Sequence, residues 1–187
     1  MDGAFLSGQL LIAMPRIADP RFEKSLILIC AHDDKHAMGV AVNQPLAGLN
    51  VPDLLKQLDV KGADDARPRA VLLGGPVETE RGFVLHTDDY GSEHSVAVPG
   101  GLALTTTRDA LEALVADNGL PGRAILTLGY AGWGAGQLER EIRENVWLTV
   151  DADEALVFDE AYETKWARAL AKLGVDPGFL SSEAGRA

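Results

Sequence analysis

Residues 124–139 read AILTLGYAGWGAGQLE, and the fold turns on how this stretch is divided. AILTL at 124–128 is apolar and rich in branched side chains, as a buried strand is. Glycines follow at 129, 132, 134 and 136, and QLEREIREN then carries Leu138 and Ile142 one turn apart. The reading is strand, glycine loop, helix. That order aims free backbone N–H groups at an anion, so a phosphate cradle is the first candidate. The patterns for it fail. A Walker loop needs Gly-Lys-Ser/Thr where Gly136-Gln137-Leu138 stands, and the glycine spacing does not fit Gly-x-Gly-x-x-Gly. With Gly136 as N-cap, Glu139 falls at N3, where its carboxylate reaches back to the cap and repels a phosphate. The balance favours glycines that make room around Trp133, with a polar ligand as the alternative.

Outward from this stretch, further apolar runs predict strands at 25–31, 38–42, 70–74, 82–86 and 146–150, and the first two pair as a hairpin. Helices are expected after Pro52 (Leu54, Leu55, Leu58 on one face) and over TRDALEALVADNG, with Thr106 and Asp109 at capping-box spacing. Two more follow: QLEREIREN, with Glu139–Arg143 and Arg140–Glu144 pairs on its wet side, and a last helix with Tyr162, Trp166, Leu170 and Leu173 on one side, stopped by Gly174. Residues 60–69 and 87–95 read as solvated loops. The expected organisation is one α+β domain over 1–176 and a small, polar, fraying tail over 177–187.

The chain has 187 residues and a formal net charge of −11. That charge opposes general affinity for nucleic acid or anionic membranes. Neither a helix-turn-helix signature nor a basic helix is present. One cysteine permits no internal disulfide and points to the cytoplasm. The N-terminus lacks the basic region of a signal peptide, and no apolar run reaches membrane-spanning length. Trp133, Trp147 and Trp166 are large enough to anchor a core or an interface, and the oligomeric state is not legible.

Candidate chemistry gathers around ICAH. Alternation along a strand places Cys30 and His32 on one face, as a thiolate–imidazolium pair requires. A cysteine in an apolar strand is more often a small buried hydrophobe. His32, Asp33, Asp34 and His36, with His86, make an incomplete ligand set, so no metal is expected. Asn43 in NQP either presents an amide to a ligand or satisfies local backbone groups. Arg81 and His86 flank GFVL and face the 25–45 region if that run is a strand. The candidate surface is therefore Cys30, His32, Asn43, Arg81, His86, Gly132, Trp133, Gly134 and Gln137, with no cofactor and no catalytic residue assigned.

Three stretches together resemble the AlgH/YqgE family of bacterial proteins: GQLLIAMPRIADPRFEKSLILICAHDDKHAMGVAVNQP (8–45), LGGPVETERGFVLH (73–86) and LGYAGWGAGQLEREIRENVWL (128–148). The resemblance implies a complex α+β fold with a bifurcated mixed β-sheet, part of it barrel-like, flanked by about four helices. It also implies a label as transcriptional regulators, without an established enzymatic activity. His36 departs from the family, which commonly has glycine there. The resulting expectation is a cytosolic binding or indirect regulatory module for a protein or a small polar ligand. The alternatives are a hydrolase or thiol-dependent enzyme using Cys30 with His32 or His86, and a transcriptional regulator as the family label suggests.

Overall fold

The computed structural model describes residues 5–15, 17, 19–90, 95–106, 111–112 and 123–180. Ten strands are described: β1 (Gln9–Ala13), β2 (Leu26–His32), β3 (His36–Ala41), β4 (Pro45–Asn50), β5 (Ala70–Leu73), β6 (Val77–Thr87), β7 (Ser95–Val98), β8 (Leu102–Thr105), β9 (Ala124–Gly134) and β10 (Trp147–Asp151). The described α-helices are α1 (Val51–Gln57), α2 (Gln137–Arg143), α3 (Glu154–Phe158) and α4 (Lys165–Lys172). The sheet runs β10-β1-β2-β3-β9-β6-β8-β7, with β4 paired to β5 and β5 paired to β9. Among the described strands only the β5–β9 pairing is parallel, so the sheet is mixed.

β9 is where the sheet divides. Its first half takes β6 on one edge and β5 on the other, while its second half takes β3 where β5 had been. The segment before Val77 makes this possible by crossing over β9. A Cβ on Gly75 would strike the backbone of Tyr130 and Ala131, and one on Gly129 would strike the Gly75 carbonyl. Gly129 also sits at φ +77°, a conformation that favours glycine. The Gly-Gly-Pro turn is therefore a crossing of two backbones at contact distance.

The strands near β1 and β2 read as unbroken apolar runs because both faces are covered. Leu10, Ile12, Leu26 and Leu28 enter one core, and Leu11, Ala13, Ile27 and Ile29 enter another behind α2. The first core also takes Val150 of β10 and Val98 of β7, so both ends of the sheet curl towards it as a half-barrel, with α3 and α4 packed on. A third core lies between α1 and the first half of β9. Each fully buried Leu or Ile contributes about 1.5–3 kcal/mol.

The predicted hairpin is present, with Leu28 opposite Val40. β1, β4, β7, β8 and α3 went unpredicted: four of these five are strands, two of only four residues, too short for a period to show. Much of the expected 107–119 helix lies outside the described residues. The glycine stretch is not a loop: β9 extends through Gly134, and only residues 135–136 turn. The last helix is shorter than expected. Tyr162 lies in a 3-10 turn before it, and Leu173 is exposed. Leu180 still packs against the first core, after a 3-10 turn at Pro177–Phe179; residues 181–187 lie outside the described set.

Candidate functional site

Trp133 ends the alternation of β9, with Ala131 and Trp133 inward and Gly132 and Gly134 exposed. Its indole N–H donates to Glu141 Oε1 at 3.0 Å. Trp147, from β10, donates to the same oxygen at 2.9 Å, and the two indoles meet edge to face at 5.9 Å. Gln137 donates to Glu141 Oε2 at 2.9 Å, one helical turn away. The Gln137 carbonyl oxygen accepts from the Gly134 N–H at 3.0 Å. One carboxylate thus ties α2, β9 and β10 together. Phe22 closes on the Trp147 ring at 5.8 Å.

In front of this wall lies an open cleft of about 520 Å³, lined among others by Arg21, Phe22, Trp133, Gln137, Arg140 and Glu144. On the opposite face of β9 a groove of about 560 Å³ is lined by His36, Met38, Arg81, Phe83 and Tyr130. The Arg81 guanidinium stands 5.2 Å over the Phe83 ring and 3.7 Å from Glu78. A smaller hollow of about 350 Å³ beside Trp166 lacks comparable polar convergence; that indole N–H is spent on the Ala13 carbonyl at 2.9 Å.

The glycine stretch holds no phosphate cradle. The Gly134 N–H is taken by Gln137, and Gly136, at φ 69°, starts a helix of seven residues. Glu139 does not reach back to the cap, nor do the expected Glu139–Arg143 and Arg140–Glu144 ion pairs occur among the described residues. Glu139 instead lies 3.2 Å from His32 Nε2. The approach is outside hydrogen-bonding geometry, since that nitrogen has no hydrogen-bond partner. His32 Nδ1 accepts from the Leu6 N–H at 2.9 Å, so the neutral ring carries its proton on Nε2, facing Glu139.

The expected placement of Cys30 and His32 on one face fails for a local reason. β2 carries a bulge between Ile29 and Ala31, where its register against β3 shifts. The extra residue reverses the alternation. Cys30 enters the first core, whereas His32 lies opposite Ala37 on the α2 side. Burial pushes the Cys30 thiol up to about 12, and it points at the Leu28 carbonyl, 3.6 Å away. This is not the environment of an activated nucleophile.

His86 lies at the other end of β6, fully buried. Its Nδ1 donates to the Thr87 carbonyl at 2.7 Å, so in the neutral ring Nε2 accepts from the Thr105 hydroxyl at 2.8 Å. Thr105 in turn shares a 2.7 Å hydrogen bond with Ser95. Asn43 is a brace: Oδ1 accepts from the Leu26 N–H at 3.0 Å and Nδ2 donates to the Lys24 carbonyl at 2.9 Å. Asp33 closes the β2–β3 turn by accepting the Lys35 and His36 N–H groups, which hold its carboxyl below the usual range. Among the described residues, no three His, Cys, Asp and Glu side chains converge to hold a metal.

Of the nine predicted surface residues, Gly132, Trp133, Gly134 and Gln137 come together, and Arg81 faces the neighbouring groove. Cys30, His32, Asn43 and His86 stand elsewhere. The residues missed were Glu141, Trp147, Phe22, Arg21 and Arg140. Only the Gln137–Glu141 spacing was visible in the sequence, because an i,i+4 pair needs no tertiary knowledge.

No helix among the described residues is long and apolar enough to cross a membrane. Comparison with known proteins supplies the family. A UPF0301 protein of Caulobacter vibrioides is 58% identical over 187 residues, covering 100% of this chain and 96% of that protein. One from Beijerinckia indica is 53% identical over 193 residues, covering 99% and 94%. The solution structure of the AlgH protein from Pseudomonas aeruginosa superposes with a TM-score of 0.76 at 40% identity, covering 100% of this chain and 98% of that one. Protein DIP2367 from Corynebacterium diphtheriae, at 19% identity and a TM-score of 0.70, shares the fold over 92% and 90%. The AlgH-like family model matches residues 10–178, and the chain belongs to that family.

Proposed function

We propose that this chain is a cytosolic binding module that takes a small polar ligand or a protein segment in the cleft in front of Trp133, Trp147 and Glu141. Its role in regulation would then be indirect. The observation that carries this reading is the Glu141 carboxylate, pinned by two indoles and an amide at 2.9–3.0 Å beside an open cleft. A wall held from three directions is pre-organised, so a ligand meets it at little ordering cost. The cleft is also lined by Phe22 and Trp133 together with a few placed polar groups, as ligand sites are. Direct DNA binding has little to draw on with a net charge of −11. Thiol catalysis is opposed by a buried Cys30 on the far side of the sheet from His32.

The test is a thermal-shift and indole-fluorescence screen of nucleotides, amino acids, sugar phosphates and short peptides. It compares wild type with Glu144→Trp, which sets a bulky ring among the residues that line the cleft. A ligand that stabilises wild type and not the variant supports the reading. A screen in which no compound distinguishes the two proteins rejects it.

A further inference from the structure

Two neighbouring residues of β9 point their backbones in opposite directions, and one of them has no strand to meet. The His36 carbonyl accepts from the Asp33 N–H inside the hairpin, and the Ala41 N–H donates to Gly74. Residues 37, 39 and 41 therefore direct their backbone groups away from β2. Ala37 and Gly39 lie opposite Trp133 and Ala131, which are thus the β9 residues bonded to β3. Gly132 and Gly134 point to the other edge. The Gly134 N–H confirms the direction, since Gln137 captures it there in place of a strand carbonyl.

On that edge, the pairing with β6 reaches Tyr130 opposite Val77 and stops, because the chain before Val77 crosses over β9. Among the described residues, no strand continues beside Gly132 and no turn or loop hydrogen bond takes its N–H or C=O. Gly132 and Gly134 are both exposed. The cleft and the groove on opposite faces of β9 meet here; Val77, Gly132 and Trp133 line both.

We propose that this edge receives an extended peptide segment of a partner protein, added as a strand beside Gly132, with a cationic side chain in the α2-side cleft and an apolar one in the opposite groove. The proposal rests on the binding-module reading and specifies its occupant. Successive side chains of a docked strand point to opposite faces, and so into the two hollows in turn. The α2-side cleft offers Glu141 and Glu144 beside the half-buried Phe22 ring, with Arg140 at its side; its remaining acid, Asp19, is engaged by Arg21 at 2.6 Å. The chain's net charge of −11 adds to the attraction for a cation. The opposite groove offers Met38, Phe83 and Tyr130. A second copy of this chain would bring its own negative charge to the same place.

The probe is an acetylated, amidated octapeptide of alternating lysine and valine, titrated into the full chain with amide NMR as readout. Its control carries N-methyl groups on the alternate amides that would meet Gly132. The discriminating variant is Gly132→Pro, which removes the edge N–H and leaves the β3 ladder alone. Gly132 is on the negative-φ side, and a Cβ there has ordinary clearance, 3.5 Å to the Tyr130 ring. Gly132→Ala keeps the N–H.

The proposal expects a shifted, exchange-protected Gly132 amide, and affinity lost about tenfold both in Gly132→Pro and in the N-methylated peptide, with Gly132→Ala within about twofold of wild type. Should Gly132→Pro fold poorly, the N-methylated peptide on wild type decides alone. Equal binding of both peptides would overturn strand addition and leave the cleft as a side-chain pocket. No binding of either peptide to wild type would also overturn it, while the small-molecule screen judges the cleft separately. A wild-type dimer that Gly132→Pro separates would assign the edge to a second copy.

Discussion

The two halves of β9 are built for opposite purposes. Ala124–Leu128 has strands on both edges and a core on each face, through Ile125 on one side and Ala124 and Leu126 on the other. Ala131–Gly134 has a strand on one edge, Trp133 on one face, and bare glycine on the other. The first half is read by its neighbours within the chain; the second buries Trp133 against α2 and keeps the Gly132 backbone facing solvent. The difference follows from where the 74–76 segment crosses, which shields one half and uncovers the other.

The largest expected effect breaks the crossing itself. Gly75→Ala drives a methyl into the Tyr130 carbonyl, and should cost about 3 kcal/mol or more. Thermal denaturation would show the midpoint falling by several degrees. Gly132→Ala, two residues past Tyr130, should change it by less than about 0.5 kcal/mol. Equal losses in both would mean that the halves are not different.

Next in size is the clamp of the open half. Glu141→Leu strands two indole N–H groups and the Gln137 amide, and should cost about 2–4 kcal/mol. Fluorescence of Trp133 and Trp147 should change in the folded variant. An unchanged midpoint and spectrum would show that the wall does not need its carboxylate.

A third test concerns the core that the closed half shares. Lys165 is buried there, its ammonium donating to the Val42 and Val157 carbonyls at 3.0 and 2.9 Å. Burial pushes it down to about 8 from 10.5, with Asp159 opposing the shift. Between these values the unfolded chain holds the proton and the folded chain does not, so stability should rise with pH from about 8 to 10.5. The gain is on the order of 3 kcal/mol at most. Urea denaturation across that range checks it, and Lys165→Met should flatten the rise. A wild-type curve as flat as the variant's would place the charge elsewhere.

The smallest expected signal is at Cys30. With its thiol raised to about 12 and buried, native alkylation at neutral pH should be slow and track unfolding. His32→Ala should not change the native rate beyond its effect on stability. A fast native reaction slowed by that variant would restore the enzyme reading.

How much of this was legible depended on distance along the chain. The β2–β3 hairpin, the 51–57 and 137–143 helices and the AILTL strand announced themselves by period and flanking residues. The Asp33 and Asp19 carboxylates likewise act locally, on N–H groups within three residues. β1 and β10 pair across 142 residues between Gln9 and Asp151, and neither run alone states its partner. Cys30 and His32 were misassigned because alternation assumes an unbroken ladder, and one bulged residue inverts it.

By itself the sequence determined the family, the α+β class, the acidic surface charge and most local elements, since these depend on residue identity and short-range spacing. Only the tertiary structure decided that GYAGWG is a strand and that Gly74 and Gly75 are crossing points. It also joined Glu141 to two tryptophans and left the edge at Gly132 open. Those outcomes depend on which backbones meet, and an exposed N–H is a property of the neighbour that is missing rather than of the residue that bears it.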